Sequence, residues 1–189
     1  FGRLFHFDAT KGGVGKQNDR RVTGLVAKKD LAMALLEGEI LHASAVAIAG
    51  RGVILFGPSG SGKSSLAARL IEQCDGILIA DDRVRLCVEG PQLMAAPHEA
   101  LLGLLELRGF GLLRRPYIKA ARICLAVDLV PREAVPRLAS PDWYTHSGAR
   151  VARLRLHAHD AATPLIIQTA LQKLGSQNNG FSDDGIYEI

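Results

Sequence analysis

Val53-Ile54-Leu55-Phe56-Gly57-Pro58-Ser59-Gly60-Ser61-Gly62-Lys63-Ser64-Ser65 is the stretch on which the reading of this chain turns. Its first four residues form a short apolar run, the pattern of a strand buried on both faces. From Ser64 to Gln73 the apolar residues recur with helical spacing. Between strand and helix the glycines let backbone N–H groups turn inward on an anion, and the helix N-terminus adds partial positive charge. Gly57-x-x-x-x-Gly62-Lys63-Ser64 is therefore a complete phosphate loop in the context it requires. Gly57, Pro58, Ser59, Gly60, Ser61, Gly62, Lys63, Ser64 and Ser65 are read as the nucleotide-binding residues. Lys63 neutralises the β- and γ-phosphates, and the Ser64 hydroxyl serves Mg²⁺. The expected ligands are ATP and Mg²⁺. The loop alone fits hydrolysis and transfer to a substrate equally well.

The next apolar run, Ile77 to Ala80, reads as a second buried strand and ends at Asp81-Asp82, seventeen and eighteen residues after Ser64. Acids at the carboxyl edge of a sheet, beside a phosphate loop, suit Mg²⁺ binding or proton acceptance. Adjacent residues on a strand point opposite ways, so the two should do different work. His42 lies fifteen residues before Gly57, and Glu106-Leu107-Arg108-Gly109-Phe110-Gly111 sets a carboxylate and an arginine beside two glycines.

The rest of the chain frames these pieces. A chain of 189 residues, 48% of them hydrophobic, suffices for one domain with a proper core. The net charge of +4 is mild, and Arg108, Arg114, Arg115, Lys119 and Arg122 form the densest basic stretch, read as a solvated face. No apolar run approaches the length of a membrane span, and neither nucleic acid nor membrane is expected as a partner. Cys74, Cys87 and Cys124 are odd in number and widely spaced, which argues for free thiols rather than a zinc site or a disulfide framework.

Further elements are expected as follows. Leu4–Phe7 is a short strand, and Asp30–Glu37 a helix capped by Asp30. Ile40–Ile48 is a strand, Gly50–Gly52 a turn, and Val84–Val88 extended. Glu99–Leu107 is a helix or tight turn, Ile123–Val130 a strand, and Pro131–Ser147 irregular. Val151–Leu156 is a strand, and Pro164–Leu174 a helix opened by Thr163 and Pro164. Lys11-Gly12-Gly13-Val14-Gly15-Lys16 resembles the variant phosphate loop of ParA/MinD-type ATPases, but Gln17 stands where a hydroxyl is needed, so it is read as a flexible segment. His157 and His159 are read as part of a turn at a strand end rather than as a metal pair. The fold class is α/β, a phosphate-loop-containing compact domain with a twisted mixed sheet. Residues 1–38 are an N-terminal segment without an assigned role, 39–174 the catalytic domain, and 175–189 a polar, mobile tail.

Taken in order, His42, the phosphate loop, Ala80-Asp81-Asp82 and Glu106 to Gly111 resemble the motifs of the catalytic domain of HPr kinase/phosphorylase, over about residues 40–170. The resemblance implies a serine kinase unrelated in fold to the usual eukaryotic kinases. Its implied target is HPr, the phosphocarrier of the sugar phosphotransferase system, and its reverse reaction uses inorganic phosphate and releases pyrophosphate. By position, Asp82 would take the serine proton, Lys63 would stabilise the transferring phosphoryl group, and Ser64 and Glu106 would hold Mg²⁺. His42 would organise the phosphate and the catalytic aspartate. Arg137, in Pro136-Arg137-Leu138, matches a family arginine that completes the site. A hexamer and a cytoplasmic location are likewise implied. The chain has no room for the family's separate N-terminal domain and reads as a short, catalytic-domain-only form. Two features depart from the family: Pro58 stands where an acid is common, and His157 to Ala162 replaces a Pro-Gly-Arg-Asn-like segment that supports dephosphorylation. Two other readings stand beside the kinase: an ATP-dependent regulatory module that transfers nothing, and a small-molecule kinase.

Overall fold

Val53–Phe56 runs through the centre of a sheet that is covered on both faces, which is why it carries no alternation. The structure is a computed structural model and describes residues 37–176. Its strands are β1 (Glu39–Leu41), β2 (Ser44–Ile48), β3 (Arg51–Phe56), β4 (Ile77–Ala80), β5 (Val84–Glu89), β6 (Gln92–Pro97), β7 (Leu104–Leu107), β8 (Gly111–Arg114), β9 (Ala121–Leu129), β10 (Trp143–His146) and β11 (Ala149–Leu156). Helix α1 (Lys63–Gln73) follows β3, and helix α2 (Thr163–Ser176) follows β11.

The main sheet is mixed and runs β1-β5-β6-β9-β3-β2-β4. β9 pairs with β3 along one side. On its other side it meets β6 near its start, at Ala121–Ile123, and β11 near its end, at Leu125–Leu129. β3, β9 and β11 are mutually parallel, with Phe56 opposite Asp128 and Leu129 opposite Leu156. Their carboxyl ends therefore share one edge. The phosphate loop leaves β3 there, and the turn 157–162 leaves β11 beside it, where open α/β sheets bind ligands.

Two clusters of apolar side chains divide the sheet by its two faces. Val53 and Leu55 of β3 join Leu125 and Val127 of β9 beneath Leu66 and Leu70 of α1 and Ile167 and Leu171 of α2. Ile54 and Ala126 face the other way, against Leu86, Leu93 and Val151. Among the described residues the second face carries no helix; side chains of β5, β6 and β11 cover it as the sheet curls. Close approach of β3 to β9 depends on Gly52: a Cβ there would lie 2.7 Å from the Arg122 carbonyl oxygen and 2.7 Å from Ile123 Cδ1. Gly52→Ala is expected to cost about 1–3 kcal/mol, read from the urea unfolding midpoint, because backbone rather than a flexible side chain must give way.

Several expectations need correction. Ile40–Ile48 is two strands, broken at His42-Ala43, because β1 pairs with β5 while β2 pairs with β3 and β4. The turn before β3 is tighter than Gly50–Gly52, since β3 already begins at Arg51. Glu99–Leu107 is a 3-10 turn (Glu99–Leu101) followed by β7, which forms a separate hairpin with β8. The segment Pro131–Ser147 contains a 3-10 turn (Arg132–Ala134) and β10, an edge strand carrying Trp143 and Tyr144. Helix α2 continues through Ser176. The expectations for Leu4–Phe7, Lys11–Lys16 and the chain beyond Ser176 lie outside the described residues, as does all but the last residue of Asp30–Glu37. Cys74, Cys87 and Cys124 are free, and burial raises the pKa of all three thiols. Among the described residues, no helix is long and apolar enough to cross a membrane.

Candidate active site

The phosphate loop lies in a cleft of about 320 Å³ at the shared carboxyl edge. Gly60 and Gly62 take φ of 85° and 93°, conformations that side chains avoid. Ser61 N donates to the Pro58 carbonyl at 3.1 Å, which closes the loop. Gly62 is the N-cap of α1, no side chain caps that end, and the first turn holds no acid. The first backbone N–H groups of the helix and its dipole are thus left for an anion.

Lys63 is buried, and its ammonium has a partner for each of its three protons: Gly57 O at 2.8 Å, Pro58 O at 3.0 Å and His42 Nε2 at 3.1 Å. Burial pushes its pKa down; the charges of Asp81 and then Asp82 pull it back up, and Arg108 pushes it down again. Since Nε2 of His42 accepts from Lys63, the ring proton sits on Nδ1, which lies 2.9 Å from Asp82 Oδ1. Lys63, His42 and Asp82 form one chain of contacts along the mouth of the loop.

The two aspartates do differ. Asp81 is buried and accepts three hydrogen bonds, from the Ser44 hydroxyl, the Ser64 hydroxyl at 3.0 Å and the Glu106 backbone N–H at 3.2 Å. It joins β2, α1 and β7 at a single carboxylate. Asp82 has a side chain 58% exposed and a φ of 65°, and it sits at the centre of a three-residue turn in which Arg83 N donates to Asp81 O at 2.8 Å. Such a turn with positive φ is the strained form, and it aims the Asp82 carboxylate out of the sheet edge toward the cleft.

The β7–β8 hairpin brings Glu106 and Arg108 to the cleft. It is held against α1 by the buried Leu105 and by an ion pair between Arg115 and Glu72. Arg108 Nη2 lies 3.4 Å from Ser59 Oγ, so its guanidinium stands over the phosphate loop. His159, from the turn after β11, is also part of the lining.

The cleft therefore brings together His42, Ser59, Gly60, Gly62, Lys63, Ser64, Ser65, Asp82 and Glu106 of the expected set. Arg137 is exposed, between the 3-10 turn (Arg132–Ala134) and β10, and does not line the cleft. Three cleft residues were not selected from the sequence. Asp81 was legible as half of an acidic pair, and Arg108 as part of the Glu106–Gly111 segment. Nothing in sequence spacing ties His159 to the loop.

A Mg²⁺ ion fits this donor set. Among the described residues no three His, Cys, Asp or Glu side chains form a metal cage. Mg²⁺ bound with a nucleotide needs only one or two protein oxygens besides phosphates and water. The Ser64 hydroxyl, held by Asp81, and the exposed Glu106 carboxylate meet that requirement.

The family model for the HPr serine kinase C-terminal domain matches residues 33–130. The HPr kinase/phosphorylase of Burkholderia lata is 46% identical over 74 residues, covering 39% of this chain and 23% of that protein. That of Streptococcus pyogenes is 29% identical over 168 residues, covering 82% of this chain and 54% of that protein. The chain thus spans about half or less of the length of these curated relatives. The solved structure of the HPr(Ser) kinase/phosphatase from Coxiella burnetii superposes with a TM-score of 0.61 at 25% identity, over 71% of this chain and 94% of that one.

Proposed function

This chain belongs to the HPr serine kinase C-terminal-domain family, and from that premise we propose that it is an ATP- and Mg²⁺-dependent serine kinase acting on an HPr phosphocarrier, with the phosphorolytic reverse reaction as a second activity of the same cleft. The observation that carries the proposal is the division of labour at Asp81-Asp82. One carboxylate is buried and fully engaged, and the other is exposed, strained and linked through His42 to the phosphate-loop lysine. A site built only to bind nucleotide has no need of the second.

The chemistry follows from the geometry. Phosphoryl transfer asks the protein chiefly for positioning and charge neutralisation. The loop N–H groups and the α1 dipole would hold the β-phosphate. Lys63 would exchange loop carbonyls for phosphate oxygens, and Arg108 would approach them from the hairpin. Mg²⁺ would neutralise charge on the β- and γ-phosphates, held on the protein side by Ser64 and Glu106. Asp82 would accept the proton as the acceptor serine oxygen bonds to the γ-phosphorus and the bond to the ADP oxygen breaks. His42, donating from Nδ1, would keep the Asp82 carboxylate oriented toward that proton. In reverse, inorganic phosphate would attack the phosphoserine, pyrophosphate would form, and Asp82 would return the proton to the serine oxygen. The expected assembly is a homo-oligomer.

The test is direct. Purified chain, Mg²⁺ and γ-labelled ATP are incubated with HPr, and in parallel with HPr in which the acceptor serine is alanine. Label on intact HPr alone is the expected result. ATP binding without transfer to either would remove the kinase assignment and favour a nucleotide-responsive regulatory module.

A further inference from the structure

We infer that the turn after β11 is the nucleoside side of the cleft, and that His159 contacts the ribose and base of the bound nucleotide. The inference rests on the phosphate-loop reading and adds to it a residue that decides for nucleoside over bare polyphosphate.

The order of strands carries the argument. His42 precedes β2, and Asp81 and Asp82 follow β4; both strands lie on one side of β3. His159 follows β11, which lies on the other side of β3, beyond β9. A nucleotide with its β-phosphate in the loop and its γ-phosphate toward Asp82 would run its α-phosphate and nucleoside away from the β2–β4 side. That direction is over the ends of β9 and β11, the side on which His159 stands.

His159 is close and well supported. A Cβ on Gly62 would come within 3.2 Å of both Cε1 and Nε2 of the ring, so the imidazole lies against the last glycine of the loop. The turn that bears it is pinned from three sides. Arg69 of α1 donates to the carbonyls of Ala158 at 2.8 Å, Asp160 at 3.0 Å and Ala161 at 3.2 Å. Thr163 Oγ1 donates to His157 O at 2.7 Å, and His157 Nδ1 donates to Val130 O at 3.1 Å. The His157 ring then meets the His159 ring edge-on, with centroids 5.5 Å apart. His159 itself remains exposed toward the cleft. A flat ring fixed this way offers a face for a base and an N–H for a ribose oxygen.

The test is equilibrium binding by calorimetry of Mg-ATP and of Mg-tripolyphosphate to the wild-type chain, His159→Ala and His159→Phe, with thermal melting to confirm folding. His159→Ala should weaken ATP binding about tenfold and change tripolyphosphate binding less than about twofold. His159→Phe, which keeps the flat face, should recover most of the ATP affinity. Equal losses for both ligands would make His159 a phosphate contact and overturn the inference, as would no loss for either. A wild-type chain that binds neither ligand would instead overturn the phosphate-loop reading beneath it.

Discussion

Asp82→Asn is expected to lower the rate of HPr phosphorylation by about 10²–10⁴-fold, the usual contribution of a positioned general base, with ATP affinity and stability unchanged. The substitution is informative because it changes little else. Asn tolerates the left-handed backbone region better than other non-glycine residues, so the φ of 65° at this position is kept. Its amide oxygen can still accept from Nδ1 of His42, so the chain of contacts to Lys63 survives in shape. What is lost is the capacity to take up a proton. Single-turnover transfer, measured beside calorimetric ATP binding, separates the two. A variant that transfers phosphate at the wild-type rate would show that the exposed aspartate is not the base.

Asp81→Ala should act on the other half of the pair in the opposite manner. It is expected to cost about 3 kcal/mol of folding stability, and with it the Mg²⁺-dependent part of nucleotide binding. The carboxylate accepts from Ser44, Ser64 and Glu106 N, and Ser44 is fully buried. Truncation leaves that hydroxyl without its partner in a site water does not reach, which is more costly than losing an exposed contact. It also frees Ser64 and the Glu106 end of β7, the two places proposed to hold Mg²⁺. Urea unfolding midpoints of Asp81→Ala and Asp82→Asn, compared at equal m-value, report the difference. Equal midpoints would mean that the three-way junction contributes nothing beyond an ordinary surface contact.

These two neighbours show how far one-dimensional pattern reaches. Alternation along a strand predicts that Asp81 and Asp82 face different ways, and it predicts nothing about which faces inward. The strand end could be legible because Ile77–Ala80 is a continuous apolar run, and the phosphate loop because its glycines, lysine and serine follow such a run directly. Other strands were hidden for physical reasons. Gln92–Pro97 alternates little, being buried along most of its length, and ends in Pro97. Leu104–Leu107 has the composition of a helix and becomes a strand only through pairing with Gly111–Arg114. Ile40–Ile48 reads as one run and is divided because its two halves pair with different neighbours.

Local sequence thus determined the chemistry available to this protein: a phosphate loop, a lysine, a serine hydroxyl and a pair of acids at a strand end, all within contiguous segments whose spacing is set by backbone geometry. Tertiary structure alone decided which carboxylate is buried, that His42 bridges Lys63 and Asp82, that Arg108 stands over the loop while Arg137 stays away from the cleft, and that His159 lies against Gly62. Those contacts join residues tens of positions apart: the pairing of β2 with β3 and β4 sets His42, Lys63 and Asp82 together, and β9 sets β3 and β11 on its two sides with their carboxyl ends along one edge. Strand pairing between distant segments leaves no periodic trace in either partner, so it is the register of the sheet that makes a set of separate motifs into a site.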